Sequence, residues 1–146
     1  MRSAEHRPDG DSADARTRPV TITSAAAARS YVRSIVEEYW RPAAGTAGET
    51  AVMDLLLVVS ELVANAIRHG GGLAGFEVTP LAEGVRLRVH DYSDAVPSAA
   101  YGPGSLPRTH EGSGYGWPLI IRLAREIRID RRREGGKTVS VFVPLM

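Results

Sequence analysis

Glu61, Asn65 and His69 recur at steps of four within Val58-Val59-Ser60-Glu61-Leu62-Val63-Ala64-Asn65-Ala66-Ile67-Arg68-His69-Gly70. In a helix, residues four apart stack one turn above another on a single face. A carboxylate one turn before a carboxamide, beside an apolar stripe, is the donor set of a metal–phosphate site. The amide oxygen is a hard, neutral ligand suited to Mg²⁺, and the carboxylate can take a proton or hold a metal-bound water. The same pair also describes two solvated residues in weak side-chain contact, so residues further along the chain must decide between them.

Asp91 ends an alternating segment, Val85-Arg86-Leu87-Arg88-Val89-His90-Asp91, and opens a long irregular stretch. A buried carboxylate there can accept hydrogen bonds from an amine or amide of a bound ring; the plainer reading is a turn-initiating Asp. Asp94 reads as a solvated loop residue. Gly112-Ser113-Gly114-Tyr115-Gly116 leads into an apolar segment. Gly112, Gly114 and Gly116 would let the backbone approach a ligand, and the unpaired first amides of a following helix favour an anion. No Gly-Lys-Ser/Thr follows, and no strand immediately precedes, so this is neither a P-loop nor a dinucleotide fingerprint. Arg128, Arg131, Arg132 and Arg133 form a basic run that reads as a solvated strand face and turn, without the interleaved aromatics of a polyanion site. Ser60 and His69 are nine apart with no acid to orient the His, so they make no nucleophile–base pair.

The elements that must position these residues follow from periodicity. Leu55, Leu56, Val59, Leu62, Val63, Ala66 and Ile67 predict a helix from about Glu49 to the glycines Gly70, Gly71 and Gly72, which end it. Before it, Ser24 reads as an N-cap for a helix over Ala25 to Trp40, with Ala28, Tyr31, Val32, Ile35, Val36 and Tyr39 inward and Pro42 as its stop. Val20-Thr21-Ile22 is expected to add a short strand. Gly75 to Thr79 and Val85 to Asp91 alternate and predict an antiparallel hairpin turning at Leu81 to Gly84. From Tyr92 to Gly114 periodicity is lost, which in a compact domain points to a functional lid. Trp117 to Arg125 is expected to be helical with Leu119, Ile120 and Leu123 inward. Glu126 to Arg132 and Thr138 to Pro144 predict a second hairpin around Glu134-Gly135-Gly136. The sum is an α+β, two-layer fold with helices on one face of a mixed, mostly antiparallel sheet.

The 146 residues suit one domain, expected over 19–146 behind a polar tail of 1–18 that lacks the apolar residues to order itself. A formal charge of +1 gives no bias toward nucleic acid, and the absence of cysteine excludes disulfides and thiolate sites. No apolar run is read as reaching the 18 or so residues of a membrane span, and the N-terminus lacks a secretory apolar core, so the cytoplasm is the expected location.

Glu61-x-x-x-Asn65, Asp91 after a strand, Gly114-x-Gly116 opening a helix and Gly136-Lys137-Thr138 before a last strand resemble, in that order, the GHKL ATP-binding superfamily. More closely the chain resembles the anti-sigma-factor serine kinases of the RsbW and SpoIIAB type and related short actinobacterial regulators. The Glu61 to Gly70 stretch is close to that family's N box, and the resemblance covers roughly Val20 to Met146. It implies ATP and Mg²⁺ as cofactors, Asn65 as the Mg²⁺ ligand and Glu61 as general base for the substrate serine. It further implies Asp91 on the adenine amine, Gly114 and Gly116 on the phosphates, and Thr138 near the adenine. The implied partners are a sigma factor and an anti-sigma-factor antagonist protein, with no direct nucleic acid, no membrane, and pairing into a homodimer left open. Two departures stand out: Ser93 and Ala95 replace the two usual glycines after Asp91, and Trp117-Pro118 stands where small aliphatics are usual, with Trp117 placed to reshape the phosphate end. Glu61 favours an active serine kinase. The departures favour a catalytically weak or inactive regulator acting through protein–protein binding. A third reading makes the chain an interaction domain whose arginine strand meets an acidic partner.

Overall fold

The computed structural model describes residues 21–40, 48–96 and 116–145. The expected N-terminal tail, Val20, Pro42, most of the lid segment, and Gly112 and Gly114 lie outside them. Thr21 and Ile22 form no strand; Ile22 instead packs partly buried against the core.

Helix α1 spans Ala25–Trp40. The Ser24 hydroxyl accepts from the Ala27 amide at 3.0 Å, so one of the helix's unpaired amides is satisfied by the expected cap. Ala28, Val32 and Val36, at steps of four, are buried. Helix α2 spans Glu49–His69 and is the centre of the fold, packing on α1, on the sheet and on a short helix α3, Gly116–Leu123. Its buried residues are Leu55, Leu56, Val58, Val59, Leu62, Val63 and Ala66. Val58 therefore joins the expected stripe, whereas Ile67 leaves it, remaining 44% exposed. By length and a mean hydropathy of 1.8, α2 would qualify to cross a membrane, contrary to the reading of its sequence. Here its apolar side is the core.

Four strands follow the helices' lead: β1 Leu73–Pro80, β2 Gly84–Asp91, β3 Arg125–Arg131 and β4 Lys137–Pro144. Their order across the sheet is β1-β2-β4-β3, and every pairing among the described residues is antiparallel. Among the described residues the sheet is thus antiparallel throughout rather than mixed, because both hairpins enter it intact and join edge to edge through β2 and β4. Alternation sorts the side chains. Val85, Leu87 and Val89 of β2 and Val139, Val141 and Val143 of β4 are buried in the core with Phe76 and Val78 of β1. Arg86, Arg88 and His90 of β2, and Thr138, Ser140 and Phe142 of β4, occupy the other face. The Arg125/Arg128 register shift, with Glu126 at φ 52, marks a bulge at the start of β3. Helix α3 ends at Leu123, two residues before the expected boundary, and β3 begins at Arg125.

Candidate functional site

The site runs along the second half of α2, with the start of α3 against Glu61 and Asn65 and the end of β2 against Gly70. Glu61 and Asn65 rise from α2 one turn apart, and Gly116, the first residue of α3, faces both. A methyl group added at Gly116 would stand 3.0 Å from Glu61 Oε1 and 3.3 Å from both terminal atoms of Asn65. A side chain there would crowd the ends of both residues. Glu61 Oε1 and Asn65 Nδ2 are buried, and among the described residues neither has a hydrogen-bond partner. Such groups cost stability when left unmade and are rare in native folds. Two of them meet at one glycine.

Burial pushes the Glu61 carboxyl above its ordinary range, an effect that the Arg68 charge partly offsets. The folded state therefore holds this proton more tightly than the unfolded chain does. Stability from this group is present at low pH and is lost as pH rises from about 4.5 through the raised value. Glu61→Gln, which cannot ionise, should gain on the parent across that interval and hold the gain at neutral pH. Urea melts of both proteins from pH 4 to pH 8 measure this; a gap that stays constant or closes with pH would remove desolvation as the cause.

Asp91 ends β2 on the core side of the sheet and is 3% exposed. It lies against the end of α2: a Cβ added at Gly70 would stand 2.6 Å from Asp91 Oδ2. The Gly70 carbonyl accepts from the Tyr92 amide at 2.8 Å, tying the strand end to the helix end. Asp91 Oδ1 accepts from the Ser93 amide at 2.9 Å, and Oδ2 pairs with Lys137 Nζ at 2.9 Å. Ser93 carries the loop onward, its hydroxyl accepting from the Ala95 amide at 3.1 Å. Asp94 is not merely solvated: its carboxylate accepts from the Gly136 amide at 2.9 Å and pins the β3–β4 turn. Arg132 of the basic run reaches back to the Asp91 carbonyl at 3.3 Å and to Glu134 at 3.4 Å.

The structure therefore brings Glu61, Asn65 and Gly116 together and sets Asp91 beside the end of the same helix. It does not bring Thr138 to them. Thr138 is on the opposite face of the sheet, where its hydroxyl lies 2.6 Å from His90 Nδ1, and His90 Nε2 lies 2.8 Å from Glu77. The residue beside Asp91 is Lys137, which sequence reasoning passed over although the alternation that places Val139 inward also places Lys137 inward. Trp117 is buried in the hydrophobic core. His69 is exposed, and Ser60 accepts from Arg29 at 2.9 Å, so neither joins a nucleophilic pair. The arginines of the open sheet face stand beside carboxylates of their own sheet: Arg86 with Glu126, Arg88 with Glu77 and Arg128 with Asp130. That face carries both signs of charge rather than a uniform basic surface.

A comparison with the curated proteins finds no match. The family model of the histidine kinase-like ATPase domain matches residues 19–142, which takes in both helix–sheet layers and all of the clustered residues. With that match over most of its length, and with Glu61, Asn65, Asp91 and Gly116 gathered as described, the chain belongs to the histidine kinase-like ATPase domain family, of the GHKL type.

Proposed function

We propose that the chain is an ATP- and Mg²⁺-binding regulatory kinase that transfers phosphate to a serine of an anti-sigma-factor antagonist and also binds a sigma factor. The observation that carries this reading is the pair Glu61 Oε1 and Asn65 Nδ2, buried without a hydrogen-bond partner among the described residues and meeting at Gly116. The unmet Asn65 atom is the Nδ2 donor, which suits a phosphate oxygen, while Oδ1 of the same carboxamide is the hard oxygen that suits a nucleotide-bound Mg²⁺. Asn65 would hold that ion, and when bound it supplies neutralisation of phosphate charge. Gly116 brings the backbone at the start of α3 close to Glu61 and Asn65, and the first amides of that helix favour negative charge. Glu61 takes the proton of the substrate serine as the hydroxyl oxygen bonds to phosphorus and the bond to the ADP oxygen breaks. Its raised pKa makes it a better proton acceptor than an ordinary surface carboxylate. Asp91, held by α2 and β2, accepts from the adenine amine.

A second reading is a catalytically weak or inactive member that regulates by protein binding alone. It is favoured by the state of Asp91, whose two oxygens are already engaged by Ser93 and Lys137. The cytoplasm is the compartment this function requires, with protein partners rather than nucleic acid or membrane; a homodimer is compatible with it. Thermal melts with ATP and Mg²⁺, followed by transfer of labelled γ-phosphate to a serine-bearing antagonist, test the proposal. A raised midpoint with transfer supports the kinase, and a raised midpoint without transfer supports the second reading. An unchanged midpoint at millimolar ATP rejects nucleotide binding altogether.

A further inference from the structure

We propose that Lys137 is a base-reading residue, donating its ammonium to the N1 acceptor of adenine while Asp91 accepts from the adjacent exocyclic amine. The inference rests on the ATP reading above and deepens it. Lys137 opens β4 on the core side, in register with Asp91 across the β2–β4 pairing, and is 5% exposed. Its Nζ lies 2.9 Å from Asp91 Oδ2 and 3.5 Å from the Ser93 carbonyl. An ammonium carries three donors. The third finds no protein acceptor among the described residues, in a place where an unmet donor is costly.

A buried ion pair is no better for stability than well-packed apolar residues would be. Its value here is directional. A carboxylate only accepts and an ammonium only donates, so Asp91 and Lys137 present an acceptor beside a donor. Adenine presents the complement, an amine beside the N1 lone pair. Guanine seated the same way would set its O6 against Asp91 and its N1–H against Lys137, two mismatches at once. A hydroxyl in place of Lys137 could turn to accept or donate, and would relax that choice. Thr138, which has the hydroxyl, is on the other face.

The test is equilibrium binding of ATP, 1-deaza-ATP and 7-deaza-ATP, each with Mg²⁺, to the full chain and to Lys137→Met. The 1-deaza analogue lacks N1 alone; the 7-deaza analogue keeps it and controls for ring substitution. The parent should bind 1-deaza-ATP about 10- to 100-fold more weakly than ATP and 7-deaza-ATP as well as ATP. Lys137→Met should bind ATP and 1-deaza-ATP equally. An equal loss for 1-deaza-ATP in both proteins, or no loss in the parent, overturns the assignment. Should Lys137→Met fail to fold, Lys137→Met combined with Asp91→Asn, which leaves no unpaired buried charge, takes its place under the same criteria. Failure of the parent to bind ATP itself is a separate result that rejects the nucleotide reading and this inference with it.

Discussion

Glu61→Ala is expected to keep its nucleotide and lose phosphotransfer by about 10²- to 10⁴-fold, the range that a positioned general base contributes. The side chain is half-buried, its carboxyl is held above the ordinary range, and the buried Oε1 has no partner among the described residues. Those three properties belong together. A carboxylate already engaged in hydrogen bonds would resist taking a proton, whereas a desolvated, unengaged one is ready for it. Loss of turnover with little change in ATP affinity places the effect on the chemical step. Transfer at the parent rate would remove Glu61 from that role, and loss of ATP binding would make it a binding residue instead. The pH–rate profile adds an independent check, since an acidic limb set by a raised carboxyl should disappear in the variant.

Asn65→Ala should separate stability from binding in a way that few substitutions do. Without ligand, the variant should melt no lower than the parent and up to about 1–3 kcal/mol more stably, because it deletes a buried polar atom that lacks a partner among the described residues. With ATP and Mg²⁺ it should lose the stabilisation the parent gains, roughly 2.7 kcal/mol for a ligand at a hundred times its dissociation constant. Helix α2 is not endangered, since Ala is the better helix former and the core stripe is untouched. Calorimetry or melts of both proteins, each with and without ligand, read out the whole cycle. An Asn65→Ala protein with the parent's ATP affinity would reject Asn65 as the metal ligand. One that melts much lower without ligand would show the carboxamide to be structural.

Much of this arrangement could be read from residues alone, for identifiable reasons. Helix α2 was legible to its first and last residue because it is long, strongly periodic and closed by three glycines. The Ser24 cap was legible because the chemistry of a helix start is local. The errors arise where a residue's surroundings come from distant chain. Val58 is buried because α2 is packed from more than one side, by α1, α3 and the sheet, so its apolar arc is wider than a one-sided stripe. Asp94 gained its role from a turn more than forty residues away, a partner that no local pattern reveals. Lys137 was a failure of another kind. Starting β4 at Thr138 and matching its hydroxyl to a family pattern hid the alternation: Val139, Val141 and Val143 face inward, and parity puts Lys137 with them.

That alternation gives the sheet the character of a reading frame. The core valines fix which members of β4 are read toward the helices, and everything between them is read toward the open face. Exchanging the order of neighbours at positions 137 and 138 would leave composition, charge and the apolar core as they are. It would still trade an ammonium for a hydroxyl at Asp91, and set the ammonium beside His90. Diversity in what such domains recognise can therefore arise by transposition within a strand, invisible to any comparison that counts residue types without tracking their phase.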